Sequence, residues 1–118
     1  MTIYALSSGS NVSGISVIRI SGSKVEEIVK LITNDQLPKP RQATLKKFNK
    51  INNSELIDEG ILIWFPGPES YTGEDMAEIH VHGSIAVVRT ILDQFQKLKI
   101  VDLLSLVNLQ KLLFKMKK

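Results

Sequence analysis

The chain has 118 residues, 43% of them hydrophobic, and no cysteine. That length suits one domain with one core, and the composition excludes wholesale disorder, a disulfide scaffold and any thiolate metal or nucleophile site. The formal net charge of +3 comes from residues 101 to 118, where Lys111, Lys115, Lys117 and Lys118 face a single acid, Asp102. The remainder holds as many acids as bases, so charge alone argues for no nucleic-acid face.

The first residues, MTIYALSSGS, show no basic leader followed by a long apolar run, and no stretch reaches membrane-span length. A soluble, cytoplasmic protein with no membrane partner is expected.

Thr2 to Leu6 reads as a short strand, followed by the polar loop SSGSNVSG. Ile15 to Ile20 is a β-branched strand with Ile15, Val17 and Arg19 on one face and Ser16, Ile18 and Ile20 on the other. Ser23 and Glu26 have capping-box spacing, and Val25, Ile28, Val29 and Ile32 recur at helical spacing, which predicts a helix over Lys24 to Thr33.

LPKP at Leu37 to Pro40 is a connector, since proline cannot sit inside a helix. Ala43 to Asn49 then reads as a strand and Asn52 to Glu55 as a turn. Leu56 to Phe65 is a strand apolar on both faces and so central to a sheet.

Pro66 to Gly83, PGPESYTGEDMAEIHVHG, is a loop leading into a strand over Met76 to Val81. Ala77, Ile79 and Val81 are expected to face the core, with Met76, Glu78, His80 and His82 opposite. Ser84 is the expected N-cap of a second helix whose buried stripe is Ile85, Val88, Ile91, Leu92, Phe95 and Leu98. The pattern is α+β with a mostly antiparallel or mixed sheet and two main helices.

Glu78, His80 and His82 share a strand face and so present a candidate metal site or the acid and base of a stand-alone enzyme. Alternate residues on a strand splay by about 7 Å, too wide for one ion, and neither a nucleophile elbow nor a triad accompanies them. No GxxxxGK[ST] loop is present, which argues against independent NTP hydrolysis. The competing reading is a polar, partly exposed strand face.

Arg19 ends an apolar strand and needs an anionic partner: either an internal carboxylate, Glu78 if the strands are neighbours, or a ligand's carboxylate. Glu78 can pair internally or offer two acceptors to an amidine-like edge such as that of a pterin or guanine. Residue chemistry leaves both choices open.

The stretches TIYALSSG, GISVIRISG, LPKPRQA and DEGILIWFPGPESYTGEDMAEIHVHG, with the helix that follows, occur in order over about residues 2 to 99. In these the chain resembles the N-terminal domain of the tRNA-modification GTPases of the MnmE (TrmE) family. The resemblance implies a folate-binding, dimer-forming module similar in fold to the folate-binding domain of the glycine-cleavage aminomethyltransferase. It implies 5-formyl-tetrahydrofolate or a related folate as cofactor, a homodimer, and no GTP, potassium or magnesium site in this chain.

The family's IRISG arginine falls on Arg19 and its glutamate before HG on Glu78, the implied folate contacts, with Tyr71 a candidate wall of the pterin pocket. His82 is family-like, whereas position 80 varies in the family. The family's full-length proteins add helical and GTPase domains. With a flavoprotein partner they modify C5 of the wobble uridine of tRNA. The usual GxGGxG of the first loop is replaced here by Ser10, Asn11 and Ser13.

The resemblance stops near residue 100, where the family continues through a short strand to PGEFT and an NxK lysine that touches folate. Residues 101 to 118, VDLLSLVNLQKLLFKMKK, have leucines near helical spacing and a lysine-rich end, as in an amphipathic basic helix. However, codons exist for these residues whose reading one base earlier gives CRFAEPGEFTKIAFQNEK, the family's continuation. A frameshift that replaces the end of the domain and truncates the protein is therefore expected, with 1–100 as the domain and 101–118 as an aberrant tail. Loss of the final strand and the lysine implies weak folate binding or a dimer scaffold that has lost it.

Overall fold

The computed structural model describes residues 2–6, 14–70, 72–98 and 102–103, the last two by backbone alone. Six strands and two helices follow in the order β1 (Ile3–Leu6), β2 (Ile15–Ser21), α1 (Val25–Thr33), β3 (Thr44–Asn49), β4 (Leu56–Phe65), β5 (Met76–His82), α2 (Ile85–Leu98) and β6 (Asp102–Leu103). The sheet order is β3-β4-β5-β2-β1-β6. Every neighbouring pair is antiparallel except β1 with β6, which is parallel. The expected α+β class with two helices is therefore what the chain forms, and β4, apolar on both faces, lies inside the sheet.

Strand alternation decides the two faces. Ile18 and Ile20 on β2, Leu62 and Trp64 on β4, and Ala77, Ile79 and Val81 on β5 turn to one side. There they meet Val25, Ile28, Val29 and Ile32 of α1 and Ile91 and Phe95 of α2 in a single core. Both helices therefore cover the same face. Tyr4 of β1 closes that core with its ring at 68° to Phe95 and the centroids 5.3 Å apart, an edge-to-face contact.

Local expectations depart from the structure at three places. The Ser23–Glu26 capping box does not form: the N-cap is Lys24, which makes no side-chain cap bond. Its amide instead donates to the Thr2 hydroxyl at 2.9 Å, and Glu26 pairs with Lys30 one turn on. Ile85 is 75% exposed rather than part of the buried stripe. It starts α2 just past Gly83, whose amide bonds the Gly14 carbonyl beside the start of β2, so it lies at the end of the described strands. Finally, the segment expected to lack a last strand has one, since the backbone of Asp102–Leu103 pairs with Ile3–Tyr4. Ladder bonds come from the main chain, and the open side of β1 accepts them whatever side chains follow.

Candidate functional site

The face opposite the helices takes Val17, Arg19 and Ser21 from β2, Met76, Glu78 and His80 from β5, and Ile61, Ile63 and Phe65 from β4. Register places Ile63, Glu78 and Arg19 in one row and Ile61, His80 and Val17 in the next. Arg19 and Glu78, fifty-nine residues apart in sequence, are thus direct cross-strand partners.

Arg19 Nε donates to Glu78 Oε2 at 2.8 Å, with the two side chains 30% and 17% exposed. His80 Nε2 lies 3.0 Å from Glu78 Oε1. A carboxylate in an ion pair only accepts, so Nε2 carries the hydrogen. Both oxygens of one carboxylate are therefore held, one from a neighbouring strand and one from two residues along its own. The internal partner for Arg19 that the sequence left open is Glu78. His80, which the sequence offers as a metal ligand or a base, is in the structure a second partner of the Glu78 carboxylate, and that pairing is what the sequence did not reveal. The signal available was its i,i+2 spacing from Glu78.

The PGPESYTGED loop borders this cluster. Ser21 Oγ lies 2.6 Å from Thr72 Oγ1, and Ser21 occupies the same face of β2 as Arg19. The Gly22 amide donates to the Asp75 carbonyl at 3.0 Å, and the Gly67 amide to Asp75 Oδ1 at 2.9 Å. Ser70 donates to the Glu74 carbonyl, which closes the loop on itself. A Cβ on Gly67 would stand 2.9 Å from the Glu74 carbonyl carbon, so only glycine lets these two limbs meet. Of the loop's acids, Asp75 braces it through its side chain, while Glu74 does so through its main-chain carbonyl; Tyr71 lies outside the described residues.

The second histidine points elsewhere. His82 is 75% exposed at its side chain, and its Nδ1 and amide both bond Asp58 of β4, at 2.9 and 3.0 Å. His80 and His82 thus serve different carboxylates. Among the described residues no three His, Cys, Asp or Glu side chains converge as a metal ion would need.

Burial acts to raise the Asp58 pKa, but the bonds from the amide and ring of His82 and the amide of Glu59 outweigh it and hold the group below its ordinary value. A depressed folded pKa adds stability that is complete above the ordinary carboxylate value, about 4, and is lost as pH falls through the lower folded one. Asp58→Asn is expected to remove this contribution. Urea midpoints at pH 7 and pH 3 should lie closer together in the variant than in the parent.

The fold and cluster define a class: a small α+β domain with its helices on one face and a paired arginine and glutamate on the other. The family model described as GTP-binding protein TrmE N-terminus matches residues 2–103, and the chain belongs to that family. It is 61% identical over 99 residues to the tRNA modification GTPase MnmE of Pelagibacter ubique, covering 84% of this chain and 22% of that protein. It is 46% identical over 91 residues to the mitochondrial 5-taurinomethyluridine-[tRNA] synthase subunit GTPB3 of Danio rerio, covering 77% and 18%. With the MnmE of Zymomonas mobilis it shares 43% over 97 residues, covering 82% and 22%. The chain spans about a fifth of the length of these relatives. No helix among the described residues is long and apolar enough to cross a membrane.

Proposed function

We propose that the chain is the tetrahydrofolate-binding and dimerisation module of a cytoplasmic GTPase that modifies the wobble uridine of tRNA at C5. In that reading it binds the one-carbon donor and has no catalytic group of its own. The observation that carries the ligand part is the Arg19–Glu78 pair, in register on the face opposite α1 and α2 and bordered by the PGPESYTGED loop.

The residues fit a pterin. Each carboxylate oxygen of Glu78 spends one lone pair on Arg19 or His80 and keeps another for the ring N–H and exocyclic NH2 of an amidine-like edge. Arg19 pairs with Glu78 through Nε, and among the described residues its terminal nitrogens have no bonded partner, so they are placed to meet a carbonyl or carboxylate. When bound, the folate supplies the one-carbon unit, and the chain's part is to bind and orient it.

Dimerisation is supported by the same face, where Ile61, Ile63, Phe65 and Val17 are only half-buried and Leu45 on β3 is 63% exposed. Homodimer formation, the flavoprotein partner and tRNA belong to this reading. So does the view that residues 101–118 are read out of frame, with CRFAEPGEFTKIAFQNEK as the continuation in frame.

Isothermal titration of 5-formyl-tetrahydrofolate into the chain, into a form with the frame restored after residue 100, and into Arg19→Ala tests the ligand part. Arg19→Ala is expected to weaken binding at least tenfold, because a charged hydrogen-bond donor is worth about 1.5–3 kcal/mol. Absence of binding by both the chain and its frame-restored form overturns the folate reading and leaves a scaffold without ligand.

A further inference from the structure

We infer that His80 is a positioning residue: its Nε2–H fixes the plane of the Glu78 carboxylate so that both oxygens meet a planar two-donor ligand edge together. The inference rests on the folate reading above and assigns a role at a position that the ligand contacts do not include.

The geometry makes the case. Arg19 Nε donates to Oε2 of Glu78, and one bond to one oxygen restrains the carboxylate's broad last torsion less tightly than bonds to both would. His80 Nε2 at 3.0 Å from Oε1 adds a second fixed point, and two points from different strands set the plane. Holding both oxygens in advance spares the ligand part of the ordering cost of binding.

His80 can do this because its own place is narrow. Its backbone pairs with Ile61 on one side and Val17 on the other. A Cβ at Gly60 would lie 2.0 Å from the His80 carbonyl oxygen, so β4 packs closely against it there. The ring is 29% exposed and reaches back along β5 to the carboxylate instead of out to solvent. Among the described residues the bonds that Arg19 and Glu78 make are Nε to Oε2 and His80 Nε2 to Oε1.

The test compares His80→Leu and His80→Gln, each made in the chain and in its frame-restored form, by titration with 5-formyl-tetrahydrofolate. His80→Leu, which has no donor, is expected to weaken binding about tenfold. His80→Gln, whose amide can donate to the same oxygen, should stay within about threefold of the parent. In a Glu78→Gln background His80→Leu should change nothing further, since the ring acts through that carboxylate. Thermal midpoints accompany each titration, and His80→Val serves as a second donor-free variant suited to a strand should His80→Leu unfold.

If a parent binds and the donor-free variants bind equally well, the inference is overturned while the folate reading stands. Equal losses in the Leu and Gln variants, or a full loss that persists without Glu78, overturn it too. If neither parent binds, the folate reading fails and the inference goes with it.

Discussion

Gly60→Ala is expected to destabilise the fold by about 3 kcal/mol, seen as a thermal midpoint lower by roughly 10 °C or more. The sign is not obvious beforehand. Glycine inside a strand costs about 0.5–1 kcal/mol in chain entropy, so alanine would ordinarily stabilise. Here the new Cβ would lie 2.0 Å from the His80 carbonyl oxygen and 3.1 Å from its carbon, and the obstructing group is main chain. It cannot swing aside as a side-chain tip would.

To relieve the overlap β4 must separate from β5 next to the Ile61–His80 pair, or Gly60 must move into the Phe48 ring, 3.4 Å away on the core side. Either route breaks ladder bonds or displaces a fully buried aromatic. Leu56→Thr on the same strand, at a position 54% exposed, provides the control and should change stability by no more than about 0.5 kcal/mol. Equal stability of Gly60→Ala and the parent would mean that the strands separate there at no cost.

The same contact links the core to the site. His80 holds Glu78, and Gly60 sets how near β4 lies to His80. A single glycine on β4 therefore bears on the position of the Glu78 carboxylate, two residues before His80 on β5. Stability and ligand affinity are expected to fall together in Gly60→Ala, whereas His80→Leu separates them.

Period and chemistry made most of the fold legible. The alternation in ISVIRI and MAEIHV correctly divides core from open face, because each strand has one face pressed on helices and a period-two pattern records that directly. The boundaries of β4 could be read because Leu56 to Phe65 is bounded by polar turn residues on one side and proline on the other. The cap of α1 could not, because Thr2, more than twenty residues away, supplies the oxygen that the Lys24 amide uses, and local spacing does not record a tertiary donor.

The site divides along the same line. That Arg19 shares a face with Ile15 and Val17, and Glu78 one with Met76 and His80, follows from alternation, but their meeting depends on β5 lying beside β2 in one particular register. A one-residue slip would have turned one of them into the core. His80 was harder still. Its ring could have faced solvent, a metal or either neighbour, and only the side-chain direction in the folded sheet selects Glu78.

Restoring the reading frame after residue 100 is expected to tighten 5-formyl-tetrahydrofolate binding about tenfold to a hundredfold while leaving the thermal midpoint nearly unchanged. The two effects separate because they rest on different parts of the chain. The described part of the tail, Asp102–Leu103, joins the sheet through main-chain pairing with Ile3 and Tyr4, which any pair of non-proline residues can supply. A frame change there preserves β6. What the shifted reading adds is the PGEFT turn and the lysine of the NxK pattern, a cation for an anionic ligand. A charged hydrogen bond is worth about 1.5–3 kcal/mol, which converts to the stated range. Equal affinities in the two forms would remove the tail from the binding site, and coding DNA in which no single-base change restores PGEFT would overturn the frame argument itself.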